Sequence, residues 1–429
     1  MSVSENNPAL SDRTRGKRVL LLFAAADDQA EAFREAAEKL GVVLVAGSDR
    51  CDALEDPWRN GAIALDEADP YGSGQAIVEY AEAHPLDAVI AIGDRLTIPA
   101  AIACEALGLP YHQPYAALAC YDQFEFRSLL EGAGLPVPRF QRMPADAKSP
   151  SLPSAMNYPC VLKPLILPAS RAAIRADNGE QFAAAFGRIR KLLESPAVQR
   201  MRDDAANWIL VEEYQEGPEA ALEGLIDRGR FYMLALFDKQ EGPSLKETVY
   251  VTPSRLPEAT QTEAARAAAL AAHAVGLYHG PVHAEIRLTR EGPRVLAIAA
   301  RPIGGLCARA LRFENGWPLE ELILRHALGE AVESVGREEA AAGVMMILAA
   351  ADGVLEEVRG EADARAVPGV EDIRITSVPN QKLVAWPAGA SCLGFIFGRA
   401  TSPDEVEEAL REARRRLEFR ITPALPVAR

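Results

Sequence analysis

Residues 283–305 read H-A-E-I-R-L-T-R-E-G-P-R-V-L-A-I-A-A-R-P-I-G-G. No other stretch restricts so tightly what the chain can fold into. Two β-like runs, His283–Leu288 and Arg294–Ala299, flank the turn signal Arg290-Glu291-Gly292-Pro293, which predicts a hairpin with a short loop. Strand side chains alternate faces, so His283 and Glu285 share one face, and Ala297, Ala299 and Arg301 share one on the partner strand. A Glu and an Arg aimed at one cleft can hold a metal ion and an anionic group together. An ordinary hairpin with a surface Glu–Arg pair is the alternative at this point.

The hairpin sits in a chain of 429 residues, longer than one usual hydrophobic core, so two to four structural units are expected. The composition, 49% hydrophobic and 25% charged, is that of a globular protein, and the net charge is −15. An acidic chain without a basic run is a poor partner for nucleic acid or an anionic membrane surface. No apolar run approaches the ~20 residues that span a bilayer. Met1–Gly16 is polar and lacks an apolar core, so it is expected to be a disordered tail rather than a signal peptide. The six cysteines (Cys51, Cys104, Cys120, Cys160, Cys307 and Cys392) are scattered without a CxxC pair, which fits reduced thiols in a cytoplasmic protein.

From Lys17 the chain alternates strand and helix patterns. Lys17–Phe23 reads as a buried strand, Asp27–Leu40 as a helix stopping at Gly41, and Val42–Ala46 as a strand. Gln75–Ala83 follows as a helix, Ala88–Ile92 as a strand, and Ile98–Leu107 as a helix stopping at Gly108. That alternation predicts a small parallel sheet covered by helices. The loop Ala24–Asp28 lacks G-x-G-x-x-G, which argues against a dinucleotide site there. Asp122–Gly134 is an amphipathic helix with an extended exit through Leu135-Pro136-Val137-Pro138. Tyr158–Pro164 is a strand delivering Lys163, which reads better as a phosphate contact than as a surface lysine. Trp208–Glu223 holds a strand ending in Glu212-Glu213-Tyr214, then Gly217 and Glu219. A further hairpin turns at Asp227-Arg228-Gly229, Thr262–Ala274 is an Ala-rich helix, and Leu319–Leu328 is helical. Beyond residue 330 come five short β-like runs and a charged helix, Asp404–Leu417, expected to form a separate α+β unit.

Taken together, these motifs resemble the ATP-grasp superfamily, and most closely its L-amino-acid ligases, which are carboxylate–amine ligases. The resemblance runs from Lys17 nearly to the end. It rests on Gly93-Asp94-Arg95, Ala106–Pro110, Asp122 with Arg127 and Ala133–Pro138, Lys163, the E-E-Y-x-x-G-x-E run, Phe237-Asp238-Lys239, Glu247–Pro257, the hairpin, and F-I-F-G-R-A before S-P-D-E-V. It implies an α/β and α+β architecture: an ATP-grasp fold with an N-terminal Rossmann-like (pre-ATP-grasp) domain and a C-terminal α+β domain. The expected boundaries are a tail over 1–16, the N-terminal domain over 17–118, the ATP-grasp core over 119–330 with a lid subdomain over about 158–215, and the C-terminal domain over 331–429.

The resemblance also implies roles. Lys163, Ser170 and Arg171 would contact ATP phosphates, with Arg301 and Lys163 catalytic. Glu212, Glu213 and Tyr214 would offer backbone groups and a carboxylate to adenine, and Glu219 would hold the ribose. Glu285 would bind Mg2+; Gly304, Gly305 and His283 would border the substrate. Four positions depart from the family pattern. A lysine is replaced by Gln123, a lid glycine by Ala172, a second magnesium carboxylate by Ala297 and an asparagine by Ala299. Magnesium wants near-octahedral oxygen coordination, so these changes predict a weakened metal site. The expected cofactors are ATP and Mg2+; the expected partners are a small carboxylate and an amine, with no nucleic acid and no membrane, and a homodimer left open. Two functions follow: an ATP-dependent ligase working through an acyl phosphate, or a catalytically impaired ATP-grasp protein that binds nucleotide or a partner.

Overall fold

The computed structural model describes residues 14–24, 29–48, 62–167, 172–241, 247–331, 335–385 and 391–423. In the N-terminal region, β1 (Arg18–Leu22), β2 (Val43–Ser48), β3 (Ala62–Ala64) and β4 (Ala88–Ala91) form a four-stranded sheet in the order β3-β2-β1-β4, parallel throughout. Its centre, Val19–Leu22, is fully buried because helices cover both faces. Alternation divides that strand between two cores: Val19 and Leu21 join one cluster, Leu20 and Leu22 the other.

The predicted helices form at Gln29–Leu40 and Thr97–Leu107, each followed by a left-handed glycine, Gly41 and Gly108. The helix expected from Gln75 starts five residues earlier, at Pro70. Asp69 caps it by accepting from the N–H of Gly72, and proline at the first turn has no N–H to lose. A short helix, Pro114–Tyr121, had no clear periodic signal.

The middle of the chain builds two facing sheets. β5 (Phe140–Pro144), β6 (Cys160–Pro164), β7 (Ile174–Ala176) and β8 (Trp208–Glu213) make an antiparallel sheet ordered β5-β8-β6-β7. The larger sheet draws on β9 (Glu219–Asp227), β10 (Arg230–Glu241), β11 (Glu247–Thr252), β12 (Gly280–Thr289) and β13 (Gly292–Ala299). Arg228 and Gly229 both take positive φ at the turn between β9 and β10, as a tight hairpin turn requires.

The C-terminal strands are β14 (Ala341–Leu348), β15 (Gly353–Arg359), β16 (Val370–Ile375), β17 (Lys382–Leu383), β18 (Cys392–Ala400) and β19 (Glu418–Thr422). The larger sheet runs β13-β12-β9-β10-β11-β14-β18-β16, so three C-terminal strands continue the central sheet through the β11–β14 pairing. The expected α+β unit is therefore joined to the core by a hydrogen-bonded ladder. A smaller sheet, β17-β15-β19, and the helix Pro403–Arg416 complete it. Among the described residues no helix is long and apolar enough to cross a membrane, and the described cysteines are free thiols. Residues 1–13 of the expected tail, most of the loop Ala24–Asp28, Cys51, Ser170 and Arg171 lie outside the described residues.

Candidate active site

The register of β9, β10, β12 and β13 lines one face of the larger sheet with charge. Arg287 lies opposite Glu219, which lies opposite Lys239. Glu285 lies opposite Ala221 on one side and Ala297 on the other; His283 lies opposite Glu223 and Ala299. The alternation read from the sequence therefore holds, with one irregularity. Between Glu285 and Ile286 the pairing jumps from Ala297 to Val295, leaving Leu296 unpaired as a bulge.

That bulge has a use. Arg127, on the helix Gln123–Gly132, is fully buried and donates to the carbonyls of Val295 (3.1 Å) and Leu296 (2.8 Å). Its Nε donates to Glu212 on β8 at 3.0 Å. Lys163 Nζ on β6 approaches the other Glu212 oxygen at 2.9 Å and donates to Gln123 Oε1 at 3.1 Å. Thus Gln123 faces Lys163 as a neutral acceptor. Burial favours the uncharged forms, yet the two cations overrule it at Glu212 and hold that carboxyl near 2. Burial lowers Lys163 to about 8; Glu212 opposes this, while the Arg127 charge adds to it. Both groups shift down for different reasons: two cations outweigh burial at Glu212, whereas burial and Arg127 outweigh Glu212 at Lys163.

On the larger sheet, Lys239 is buried and contacts Glu219 at 2.7 Å and Glu285 at 3.4 Å. Burial would lower its pKa, but Glu285, Tyr250 and Glu219 carry it well above the ordinary lysine value. Arg287 makes a close ion pair with the second Glu219 oxygen and donates to the Gly217 carbonyl at 3.0 Å. Arg127 joins Glu212 of the smaller sheet to the Val295 and Leu296 carbonyls of the larger one, and Glu285 favours the charged form of Lys163, so the charged faces of the two sheets converge.

The strip expected to meet adenine is already engaged. Glu212 belongs to the buried pair above, and Glu213 pairs with Arg139. The N–H groups of Glu213 and Tyr214 donate to the carbonyls of Arg139 (2.9 Å) and Pro159 (3.2 Å). The Tyr214 ring lies under the Arg175 guanidinium at 4.2 Å, with Arg287 at 5.5 Å. At the far end of the hairpin, Arg301 grips Asp94 of the N-terminal region with two bonds, at 2.7 and 2.9 Å. His283 Nδ1 lies 3.1 Å from Glu223, a fully buried carboxylate that also accepts from the N–H of Ile303. Burial raises Glu223, against the pull of His283, that N–H and Arg301. Gly304 adjoins the Arg301 guanidinium. Gly305 takes φ +63°, and a Cβ there would meet the Phe395 ring at 3.4 Å.

The expected residues thus divide. Lys163, Glu212, Glu219 and Glu285 join one cleft, whereas Arg301, His283, Gly304 and Gly305 stand where the hairpin end meets the N-terminal region. Lys239, Arg127, Arg287, Glu223 and Asp94 had no assigned role in the sequence, although E-A-A-L-E in β9 already puts Glu219 and Glu223 on one face. For magnesium, the hairpin supplies the single carboxylate of Glu285. That is the lower end of sites which also use substrate phosphates and water. Ala297 and Ala299, opposite Glu285 and His283, are half-buried. Ala172 is buried at the edge of the described lid.

The ATP-grasp domain profile matches residues 156–310, the ATP-grasp N-terminal domain 34–111, and the L-amino acid ligase C-terminal domain 2 345–422. Alanine--anticapsin ligase of Bacillus subtilis (strain 168) is 25% identical over 305 residues, 67% of this chain and 64% of that protein. Uncharacterized protein y4rH of Sinorhizobium fredii is 23% identical over 320 residues, covering 75% and 65%. The chain thus spans a little under two thirds of the length of these curated relatives. An L-amino acid ligase from Bacillus licheniformis has the same fold, with TM-score 0.79 at 24% identity over 95% of this chain and 99% of that one. Phosphoribosylglycinamide synthetase from Anaerococcus prevotii is more distant, with TM-score 0.66 at 16% identity, covering 95% and 100%. The paired sheets and these matches show that the chain carries an ATP-grasp domain with its N-terminal companion and a C-terminal domain of the L-amino acid ligase type.

Proposed function

We propose that this protein is an ATP-dependent carboxylate–amine ligase whose carboxylate substrate is an amino acid or a similarly small acid. The carrying observation is the convergence of Lys163 from one sheet with Glu285, Lys239 and Arg287 from the other. Such a cleft suits a polyphosphate: cations neutralise its oxygens, and carboxylates offer a seat for the accompanying metal. In the reaction, a substrate carboxylate oxygen attacks the γ-phosphorus and ADP leaves. An amine then attacks the acyl carbon, phosphate leaves, and the amine gives up a proton.

Lys163 and Lys239 contact phosphates in this reading, together with Ser170 and Arg171 of the lid; Lys163 must exchange its Glu212 contact in part for phosphate. Glu285 holds Mg2+, which when bound offsets phosphate charge. The Glu212–Tyr214 strip borders adenine, and Glu219 borders the ribose once Lys239 turns to the phosphates. Arg301, oriented by Asp94, faces the transferring phosphoryl group, while His283 with Glu223 and the Gly304-Gly305 turn shape the substrate end. An amino-acid substrate is supported by the name of the alanine--anticapsin relative and by the L-amino acid ligase-type C-terminal domain.

A second reading, a nucleotide-binding protein with impaired turnover, is favoured by one observation. Ala297 and Ala299 stand opposite Glu285 and His283, where further oxygen ligands would belong. ADP release with Mg-ATP and mixed amino acids, beside ATP titration by calorimetry, separates the two. Amino-acid-dependent release supports the ligase; ATP binding without release supports the binder. Ala297→Glu combined with Ala299→Asn is expected to tighten Mg-ATP binding, because both oxygens would face a cation already held by phosphate. A folded double variant with neither tighter binding nor greater turnover would remove magnesium from this face.

A further inference from the structure

Outside the cleft, three side chains converge at the opposite end of β12. Asp227 ends β9, His279 immediately precedes β12, and His326 lies on the helix Leu319–Ala327. One ligand atom from each lies within 4.8 Å of the others, the one such group of three among the described residues. His279 Nδ1 is 3.1 Å from Asp227 Oδ1, and His326 Nε2 is 3.7 Å from the same oxygen. Ligands bound to one ion at about 2.0–2.2 Å stand roughly 3.3–3.5 Å apart in a tetrahedral set; the two spacings, 3.1 and 3.7 Å, flank that range closely enough for small side-chain shifts to meet it.

A second feature points to a ligand. His279 and His326 are 4% and 1% exposed. Neither ring nitrogen of His279 makes a directed hydrogen bond, and Nε2 of His326 has no hydrogen-bond partner. Buried polar atoms are ordinarily satisfied. The rings stack at 4.2 Å. His112, beside the cluster, is already held by the Tyr278 N–H and the Pro281 carbonyl. Asp227 is 35% exposed and gives an ion a way in from solvent. Arg228, at the same turn, is exposed, so solvent screens its opposing charge.

We infer that Asp227, His279 and His326 form a binding site for a divalent transition cation of the zinc class, separate from the nucleotide cleft. Two imidazoles and one carboxylate make a three-ligand zinc set, with the fourth position left to water. Ligation clamps the β9–β10 turn to the helix Leu319–Ala327. That helix packs against the N-terminal helix Gln29–Leu40 and holds Lys39 through Glu321 at 2.6 Å. The bound ion therefore stiffens the junction between the N-terminal region and the core.

The test is a zinc titration of the tag-free, chelator-treated full-length protein by calorimetry against a competing chelator, with thermal melts alongside. One zinc ion per chain and a raised melting temperature are expected. Loss of an outer partner alone weakens metal sites ~10–100-fold, so Asp227→Asn and His326→Gln should weaken zinc at least that much and abolish the shift in melting temperature. Asp227 lies at a half-exposed turn, so its variant is expected to fold, and unchanged circular dichroism and ATP affinity would verify this. No saturable zinc binding by the wild type, or undiminished affinity in folded Asp227→Asn, overturns the site.

Discussion

β12 carries two polar clusters in opposite conditions, separated by the six residues from His279 to Glu285, ~20 Å of extended chain. At the Glu285 end the buried charges have found protein partners: Lys239 with Glu219 and Glu285, and Glu212 with Arg127 and Lys163. At the His279 end, the buried ring nitrogens lie near Asp227 but make no directed hydrogen bond. A ligand at the first cluster must compete with ion pairs already made. At the second it meets groups whose desolvation is uncompensated, so binding removes a penalty. Full pairing therefore suits a cleft that stays folded while empty, and nitrogens without a directed hydrogen bond suit a resident ion.

The largest expected effect breaks the first cluster. Arg127→Ala leaves Glu212 and two bulge carbonyls without their donor, and removing one partner of a buried pair typically costs about 3–5 kcal/mol. Denaturant unfolding reads this directly. A loss below about 1 kcal/mol would mean that Glu212 relaxes into water, since exposed pairs contribute no more than that. If the two ends are independent, folded Arg127→Ala keeps its zinc affinity.

Lys163→Ala comes next. A charge-assisted contact contributes ~1.5–3 kcal/mol, and tenfold in affinity is ~1.4 kcal/mol. ATP binding should weaken roughly tenfold or more in calorimetry, and unchanged affinity would remove Lys163 from the nucleotide site.

The smallest effect is in pH. Lys163 titrates at about 8 in the fold, below the ~10.4 of an unfolded lysine. Below about 8 it is charged in both states and its burial penalty is constant. Between about 8 and 10.4 the unfolded chain holds the proton and the native one does not, so this group makes stability rise with pH. ATP affinity runs the other way, falling above pH 8 by no more than about tenfold per unit, because one proton must be taken up. Calorimetry in buffers of different ionisation enthalpy counts that proton, and no uptake at pH 9 would show that phosphate does not meet the Lys163 ammonium.

Much of the fold was legible in advance because its signals are local. The buried run of β1, the glycines after helices and the turn at Arg228-Gly229 act over a few residues. The hairpin register followed from period-two alternation, and so did the pairing of Glu285 with Ala297. Less legible was what each charge touches. Arg301, read as a phosphate residue from the family pattern, is held by Asp94, 207 positions earlier. The C-terminal unit expected from residue 331 joins the core through β11 and β14, whose pairing depends on hydrogen bonds between segments ~100 residues apart.

The sequence by itself determined the elements and their faces, because a side chain's direction in a strand or helix is set by its own backbone. It determined the family too, because motif spacing is written along the chain. Only the tertiary structure decided that Lys239 stands between Glu219 and Glu285, that the Leu296 bulge turns its carbonyl to Arg127, and that Asp227, His279 and His326 meet. Those three residues have no motif spacing, since one lies at a strand end, one in a connection and one on a helix. Charges and ring nitrogens act across a few ångströms of space whatever their separation in sequence, so packing alone could bring them together.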